Sequence, residues 1–178
     1  SLTSFVEGWD LSRMEPSIVQ LEGYAKTKIK AIQVAKDSSQ LDTHSFIKFC
    51  GPEGKLEQIH KAIAKDNSHS IFNGIIEVPK VAQKTDASQL SKNLILSKNA
   101  IIDTKPELRI VADDVRCSHG ATISQFQDEE IFYLQSRGIS YEKAAELLLE
   151  GYCKEIINLI PLKPSRWSNL NNLLISKK

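Results

Sequence analysis

Between Ser70 and Val115 the sequence alternates short apolar runs with turn residues. Short strands at regular spacing, separated by Gly, Asn, Asp, Ser and Pro, are typical of all-β architecture. No helical pattern intervenes that would connect the strands by βαβ crossovers. Spacing alone therefore leaves a β-sandwich and a β-solenoid open. The runs are Ile71–Phe72, Ile75–Val78, Leu94–Leu96, Ala100–Ile102 and Leu108–Val115.

The C-terminal part changes from a strand pattern to a helical one. Asp128 is placed to cap a first helix, and Ser140 is placed to cap a second, longer one. Pro161 ends the second helix, and Leu170–Ile175 is predicted to form a last short helix. The apolar stripe of the second helix is Ala144, Leu148, Tyr152 and Ile156. We therefore divide the chain into a β region, residues 1–126, and a helical region, residues 127–178.

Composition narrows the function classes. The net charge is +1, so there is no electrostatic argument for binding nucleic acid or a membrane surface. No apolar run is long enough to span a bilayer. Three cysteines, Cys50, Cys117 and Cys153, form no even disulfide framework and predict free thiols in a reducing compartment. Because the chain begins at Ser1 and its only methionine is Met14, we expect a fragment or a processed product.

Cys117 and His119 are the most concentrated reactive groups in the sequence. Residues two apart on a strand point to the same face, and Val111 and Val115 would share that face and shelter it. A thiol and an imidazole can both bind soft or borderline metals. Two donors do not complete a tetrahedral site, so any metal would be bound partially or shared with another subunit. The alternative is a buried structural cysteine beside a hydrogen-bonded histidine.

The same stretch resembles a known family. The run ADDVRCSHGAT, followed by an acidic helix start and IFYLQSRGIS, is similar to the C-terminal signature of the SufB/SufD family of the SUF iron–sulfur cluster assembly system, and favours its SufD branch. FNGIIEV at Phe72–Val78, QKTDASQLSKNLILS at Gln83–Ser97 and DTKPELRI at Asp103–Ile110 support the resemblance in order and spacing. The resemblance is strong from about Phe72 to Ile157.

The resemblance implies a mainly β fold, a right-handed parallel β-helix followed by a small C-terminal α-helical region. It places Asn73–Gly74 at a corner of the β-helix. Over residues 51–66 the positions of Leu56, Ile59 and Ile63 spell an amphipathic helix, whereas the resemblance implies β structure. We predict strands there, because tertiary context overrides local propensity.

The function implied by the resemblance is that of a non-enzymatic scaffold subunit. It would pair with SufB through the strands near His119, where a nascent cluster forms, with Cys117 as an auxiliary thiol. The chain alone is expected to hold no cofactor stably, and a homodimer of the isolated chain stays open. The SufC ATPase would dock on the C-terminal helices. The candidate docking residues are Asp128, Glu129, Phe132, Tyr133, Arg137, Ala144, Leu148 and Tyr152.

Two other functions stay open from the residues alone. One is a carbohydrate-acting β-helix enzyme, which needs clustered carboxylates, and the other is a plain structural module. The candidate carboxylates are too scattered in the sequence to favour the enzyme; they are Asp86, Asp103, Asp113 and Asp114. Among the other histidines, we expect His44 to be solvated or hydrogen-bonded near a turn, and His60 and His69 to lie on the surface.

Overall fold

The computed structural model describes residues 1–160 as a parallel β-solenoid of about four turns followed by two helices. The predicted β-helix with a C-terminal helical region is therefore confirmed. The predicted helix end at Pro161 and the short helix over Leu170–Ile175 lie outside the described residues. Two compact units divide the chain, one over Ser1–Ile123 and one that begins at Ser124.

The solenoid is built from strands that alternate between two parallel sheets. The strands are β1 Leu2–Glu7, β2 Leu11–Met14, β3 Ser17–Gln20, β4 Lys26–Ala35, β5 Gln40–Phe49, β6 Lys55–Ala64, β7 His69–Val78, β8 Asp86–Ile95, β9 Ile101–Ile110 and β10 Arg116–Ser124. One sheet has the order β1-β4-β6-β8-β10 and the other β2-β5-β7-β9, with β3 also paired to β5. The pairing is in step from coil to coil, because Lys26 pairs with Lys55 and Lys55 with Asp86.

Left-handed backbone residues form the corners of successive coils. Tyr24, Glu53 and Lys84 have φ of 64°, 56° and 58° and come shortly before β4, β6 and β8. Asp37 and Asp66, with φ of 57° and 61°, follow β4 and β6 in the same way. None of them is glycine, so the coil-to-coil hydrogen bonds must offset the roughly 1 kcal/mol that each such residue costs.

The strand predicted over residues 51–66 is confirmed as β6. Leu56, Gln58, His60, Ala62 and Ala64 are all buried and alternate along the strand. The apolar pattern resembles a helix because two of these inward positions carry polar side chains. The segment forms a strand because β6 pairs with β4 on one side and with β8 on the other, and this pairing outweighs the local helical pattern.

The interior of the solenoid contains ordered amide contacts as well as apolar residues. Gln33 Nε2 donates to Ser70 Oγ at 2.5 Å, and Thr43 Oγ1 donates to Gln33 Oε1 at 2.8 Å. One coil further, Gln58 Nε2 donates to Ser45 Oγ at 2.8 Å. Buried polar groups need such partners, so these bonds fix the coils relative to one another.

Asn73–Gly74 does not form the predicted corner. Both residues lie in the middle of β7. A Cβ on Gly74 would collide with Gln89 Nε2 and would lie 2.7 Å from Phe72 Cζ. The absence of a side chain at position 74 thus makes room for the buried amide of Gln89.

The prediction that His60 lies on the surface is wrong. Its imidazole is buried and stacked on Phe72, with ring centroids 4.1 Å apart. Neither ring nitrogen has a hydrogen-bond partner within residues 1–160. Burial lowers the pKa of His60 to about 3, because desolvation disfavours the cation.

The two helices are α1, Asp128–Gln135, and α2, Tyr141–Ile157. Ser140 caps α2 as predicted, since its Oγ accepts a hydrogen bond from Lys143 N at 3.3 Å. Asp128 is the first helical residue rather than the cap, which is Gln127 without a side-chain bond. Ile131, Ala144 and Ala145 form the core of this unit. Neither described helix is long and apolar enough to cross a membrane.

We predict that Gly74→Ala destabilises the solenoid by about 1–3 kcal/mol, because the added methyl overpacks the site that holds the Gln89 amide. Gly120→Ala is the matched control, since its Cβ would meet only Leu90 Cδ1 at an ordinary 3.5 Å. Urea unfolding followed by circular dichroism measures both variants. Equal free energies of unfolding for the two variants would contradict the packing role of Gly74.

We also predict an acid-dependent loss of stability that originates at His60. The unfolded chain binds a proton on this residue below about pH 6.5, whereas the folded chain does so only near the lowered pKa. Stability therefore falls on acidification, by about 1.4 kcal/mol per pH unit from about pH 6 to about pH 4. His60→Leu should remove this contribution. If the free energy of unfolding changed equally with pH in the wild type and in His60→Leu, a contribution from His60 would be excluded.

Candidate functional site

The last strand of its sheet, β10, carries the two reactive residues singled out by sequence. Arg116 N donates to Thr85 O at 2.8 Å, just as Asp86 N donates to Gly54 O at 2.9 Å one coil earlier. The earlier bond accompanies pairing of Lys55 with Asp86. The same geometry in β10 aligns Arg116 with Asp86.

The pairing of β10 with β8 determines which residues lie next to Cys117 and His119. Cys117 lies in line with Ala87, and His119 lies in line with Gln89, as the alternation along a strand requires. Both positions continue inward-facing columns of the solenoid, because Gln58 pairs with Gln89 and both amides are buried. Cys117 and His119 therefore share one face of β10. Gln89 belongs to no sequence motif that indicates a site. Its position next to His119 follows only from the pairing of β10 with β8.

The predicted shelter of His119 is wrong. β9 ends at Ile110, so Val111 and Val115 lie outside β10, and Val111 is exposed. His119 is exposed as well, while Cys117 is half-buried against the apolar core. His119 is exposed because no further strand within residues 1–160 extends the sheet beyond β10.

Burial raises the pKa of the Cys117 thiol, although a hydrogen bond with the Ala87 backbone partly opposes the rise, and nearby Asp86 adds to it. A thiol must lose its proton to bind a metal strongly. Burial therefore disfavours the thiolate form of Cys117 in this structure.

The donor set at this end of the solenoid is incomplete. In the described part of the chain no group of three or more His, Cys, Asp or Glu side chains could hold a metal ion. Two of the other histidines have carboxylate partners: His44 Nε2 is 2.8 Å from Asp42 Oδ1, and His69 Nε2 is 2.7 Å from Asp103 Oδ2. A tetrahedral site that includes His119 and Cys117 thus needs ligands from elsewhere. None of the cysteines forms a disulfide within residues 1–160.

Apolar side chains surround the end strands. Ile101 and Ile110 of β9, Val111 after it and Ile123 of β10 are all exposed. Among the described strands, β9 and β10 are the last of their respective sheets. End strands expose unpaired backbone groups and are prone to pair with another chain.

The helical unit exposes part of the predicted docking set. Phe132 is 71% exposed and Tyr133 56%, and the Arg137 guanidinium lies 4.9 Å from the centre of the Tyr133 ring. Asp128 and Glu129 are exposed in the first turn of α1.

Three predicted docking residues are less accessible. Ala144 is fully buried in the core of the helical unit, so its side chain cannot contact a partner in this structure. Its place on the apolar stripe of α2 explains the burial. Leu148 packs against the same core and is half-buried, as is Tyr152, whose pKa burial raises.

Comparison with known proteins agrees with this geometry. Residues 1–152 match the family model described as "SUF system FeS cluster assembly, SufBD core domain". An iron–sulfur cluster assembly SufBD family protein of Synechocystis is 44% identical over 155 residues, which cover 87% of this chain and 34% of that protein. The iron–sulfur cluster assembly protein SufD of Escherichia coli is 38% identical over 154 residues, 86% of this chain and 36% of that protein.

A plant relative extends the comparison. The chloroplastic protein ABCI7 of Arabidopsis thaliana is 36% identical over 160 residues, 89% of this chain and 34% of that protein. The chain thus spans about a third of the length of the relatives that it matches. The family match over most of the chain, together with the solenoid fold, shows that this chain belongs to the SufBD family of SUF-system iron–sulfur cluster assembly proteins.

Proposed function

We propose that this chain is part of a non-enzymatic scaffold subunit of the SufD type, which assembles an iron–sulfur cluster jointly with a SufB subunit. The observation that carries the proposal is the incomplete donor set: His119 and Cys117 share one face of β10, the last described strand of its sheet. The cluster is the cargo of this subunit. A site that draws its remaining ligands from a second chain forms only when the two chains pair.

Pairing with SufB is supported by the end strands. β9 and β10 offer an edge to which a partner strand can add by backbone hydrogen bonds. The exposed apolar residues Ile101, Ile110, Val111 and Ile123 supply area for burial around that edge. Pairing there would cover His119 and bring the partner's ligands to it. A homodimer through the same edge is the alternative for the chain alone.

Docking of the SufC ATPase is supported by the exposed face of α1. Aromatic and arginine side chains contribute most of the binding energy at many interfaces, and Phe132, Tyr133 and Arg137 combine these types on one helix. The acidic first turn, Asp128 and Glu129, adds charges that a basic partner surface can pair with. We expect the complex to act in the cytoplasm or, in a plant or alga, in the plastid stroma.

The carbohydrate-acting alternative finds little support in the structure. Asp86 and Asp114 line an open groove of about 690 Å³. The cationic side chains of Lys55, Lys84 and Arg116 line the same groove. Asp103 lies on the sheet that contains β7 and β9, where its carboxylate contacts His69 Nε2. Hydrolysis of a glycosidic bond needs two facing carboxylates with separate roles, whereas several cationic side chains share this groove with the aspartates.

We predict that His119→Ala abolishes cluster assembly while leaving the fold intact. His119 is exposed, so its replacement should change the free energy of unfolding by less than about 0.5 kcal/mol. Cys117→Ser should be milder, and Ser118→Ala, on the opposite face of β10, should behave as wild type. The measurement is growth under iron limitation of a strain that lacks its own SufD and carries each variant of the whole protein. Normal growth of the His119→Ala strain at normal protein level would refute the proposed role.

We predict that Phe132→Ala weakens SufC binding by about tenfold or more, because it removes an exposed aromatic contact. Trp9→Ala is the matched control, since Trp9 is an aromatic residue of the solenoid with a similar exposure of 65%. Titration calorimetry of the whole protein with SufC measures both. Unchanged affinity for Phe132→Ala would place the ATPase contact elsewhere.

A further inference from the structure

A chain of amide hydrogen bonds runs along one interior column and stops below His119. Gln58 Nε2 donates to Ser45 Oγ at 2.8 Å, and Gln89 Nε2 donates to Gln58 Oε1 at 2.9 Å. Each amide nitrogen is used toward an earlier part of the solenoid. The oxygen at the end of the chain, Gln89 Oε1, is buried, and the whole residue is only 2% exposed. This oxygen has no hydrogen-bond partner within residues 1–160.

The next residue in this column is His119. Ile29 pairs with Gln58 and Gln58 with Gln89, and the Arg116–Thr85 hydrogen bond continues the register to His119. Neighbouring strands lie about 4.8 Å apart, so an imidazole on β10 can reach an amide oxygen on β8. The unused acceptor therefore lies under a side chain that carries a donor.

The orientation of the Gln89 amide is fixed by its surroundings. If the amide flipped, its oxygen would face Gln58 Oε1 and the two acceptors would repel each other. In the structure Gln58 Nε2 donates to Ser45 Oγ, so Gln58 presents its oxygen to Gln89. Gly74 leaves the space that the Gln89 amide occupies. The oxygen is thereby kept on the edge of the amide that faces away from Gln58.

We propose that Gln89 is a positioning residue for His119: when the exposed imidazole turns toward the interior, Gln89 Oε1, which has no partner within residues 1–160, accepts a hydrogen bond from one ring nitrogen and leaves the lone pair of the other nitrogen for the metal. A histidine that binds metal commonly donates its second ring N–H to a carbonyl or carboxylate, which fixes the tautomer and the ring orientation. This inference rests on the proposed function and deepens it, because it assigns the group that selects the ligating nitrogen.

The test is the tautomer of His119 in the whole protein, measured by ¹⁵N NMR of histidine labelled in the ring. The His119 signals are identified by their loss in His119→Ala. We expect one neutral tautomer in the wild type and a mixture of the two in Gln89→Met. Gln33→Met is the matched control: it removes another buried amide of the solenoid interior, which bonds to Ser70 and Thr43, but leaves the Gln58–Gln89 pair in place, so it should retain the single tautomer.

A mixture of tautomers in the wild type would overturn the proposal, even if Gln89→Met failed to fold. An unchanged single tautomer in a folded Gln89→Met would overturn it too. Cluster yield in cells should fall about tenfold for Gln89→Met and less for Gln33→Met, and equal yields would leave Gln89 no positioning role. Normal growth of the His119→Ala strain, in contrast, would overturn the proposed function and with it the purpose of the bond, whatever the tautomer.

Discussion

The structure depends on backbone pairing that stays in step from one coil to the next. Because Lys26, Lys55 and Asp86 occupy equivalent positions, every interior side chain stacks on its counterpart one coil earlier. In one column Gln89 donates to Gln58 one coil earlier, and the last strand of the sheet has no later strand among the described residues to pair with. Cys117 and His119 lie on this last strand. The site at the end of the solenoid is therefore a consequence of how the solenoid is built.

Polar interior residues make this register specific. A slip of one residue along a strand would turn every inward side chain outward, and the amide chain from Ser45 to Gln89 would lose its partners. The imidazole of His60 contributes differently, since neither ring nitrogen has a hydrogen-bond partner among residues 1–160 and the ring is held by stacking on Phe72. The fold tolerates that residue only in its neutral form.

The sequence predicted the class of fold and the reactive pair, but not the surroundings of either. Turn residues between apolar runs indicated β structure, and the capped pattern after Ser140 indicated α2. The first half of β8 gave no apolar signal because its inward positions hold Gln89 and Ser91, whose burial depends on the neighbouring coils. Exposure of His119 could not be predicted from alternation, which specifies a face but not whether another coil covers it.

The central claim is that His119 supplies a ligand to a cluster shared between two subunits. The most direct measurement is pulsed electron–nuclear double resonance on the reduced, cluster-loaded complex, with ¹⁵N-histidine incorporated only into this subunit. The account predicts a ¹⁵N hyperfine coupling from a directly bound nitrogen, which persists in His69→Ala and is lost from a His119→Ala complex loaded by chemical reconstitution. A loaded wild-type complex without that coupling would contradict the claim.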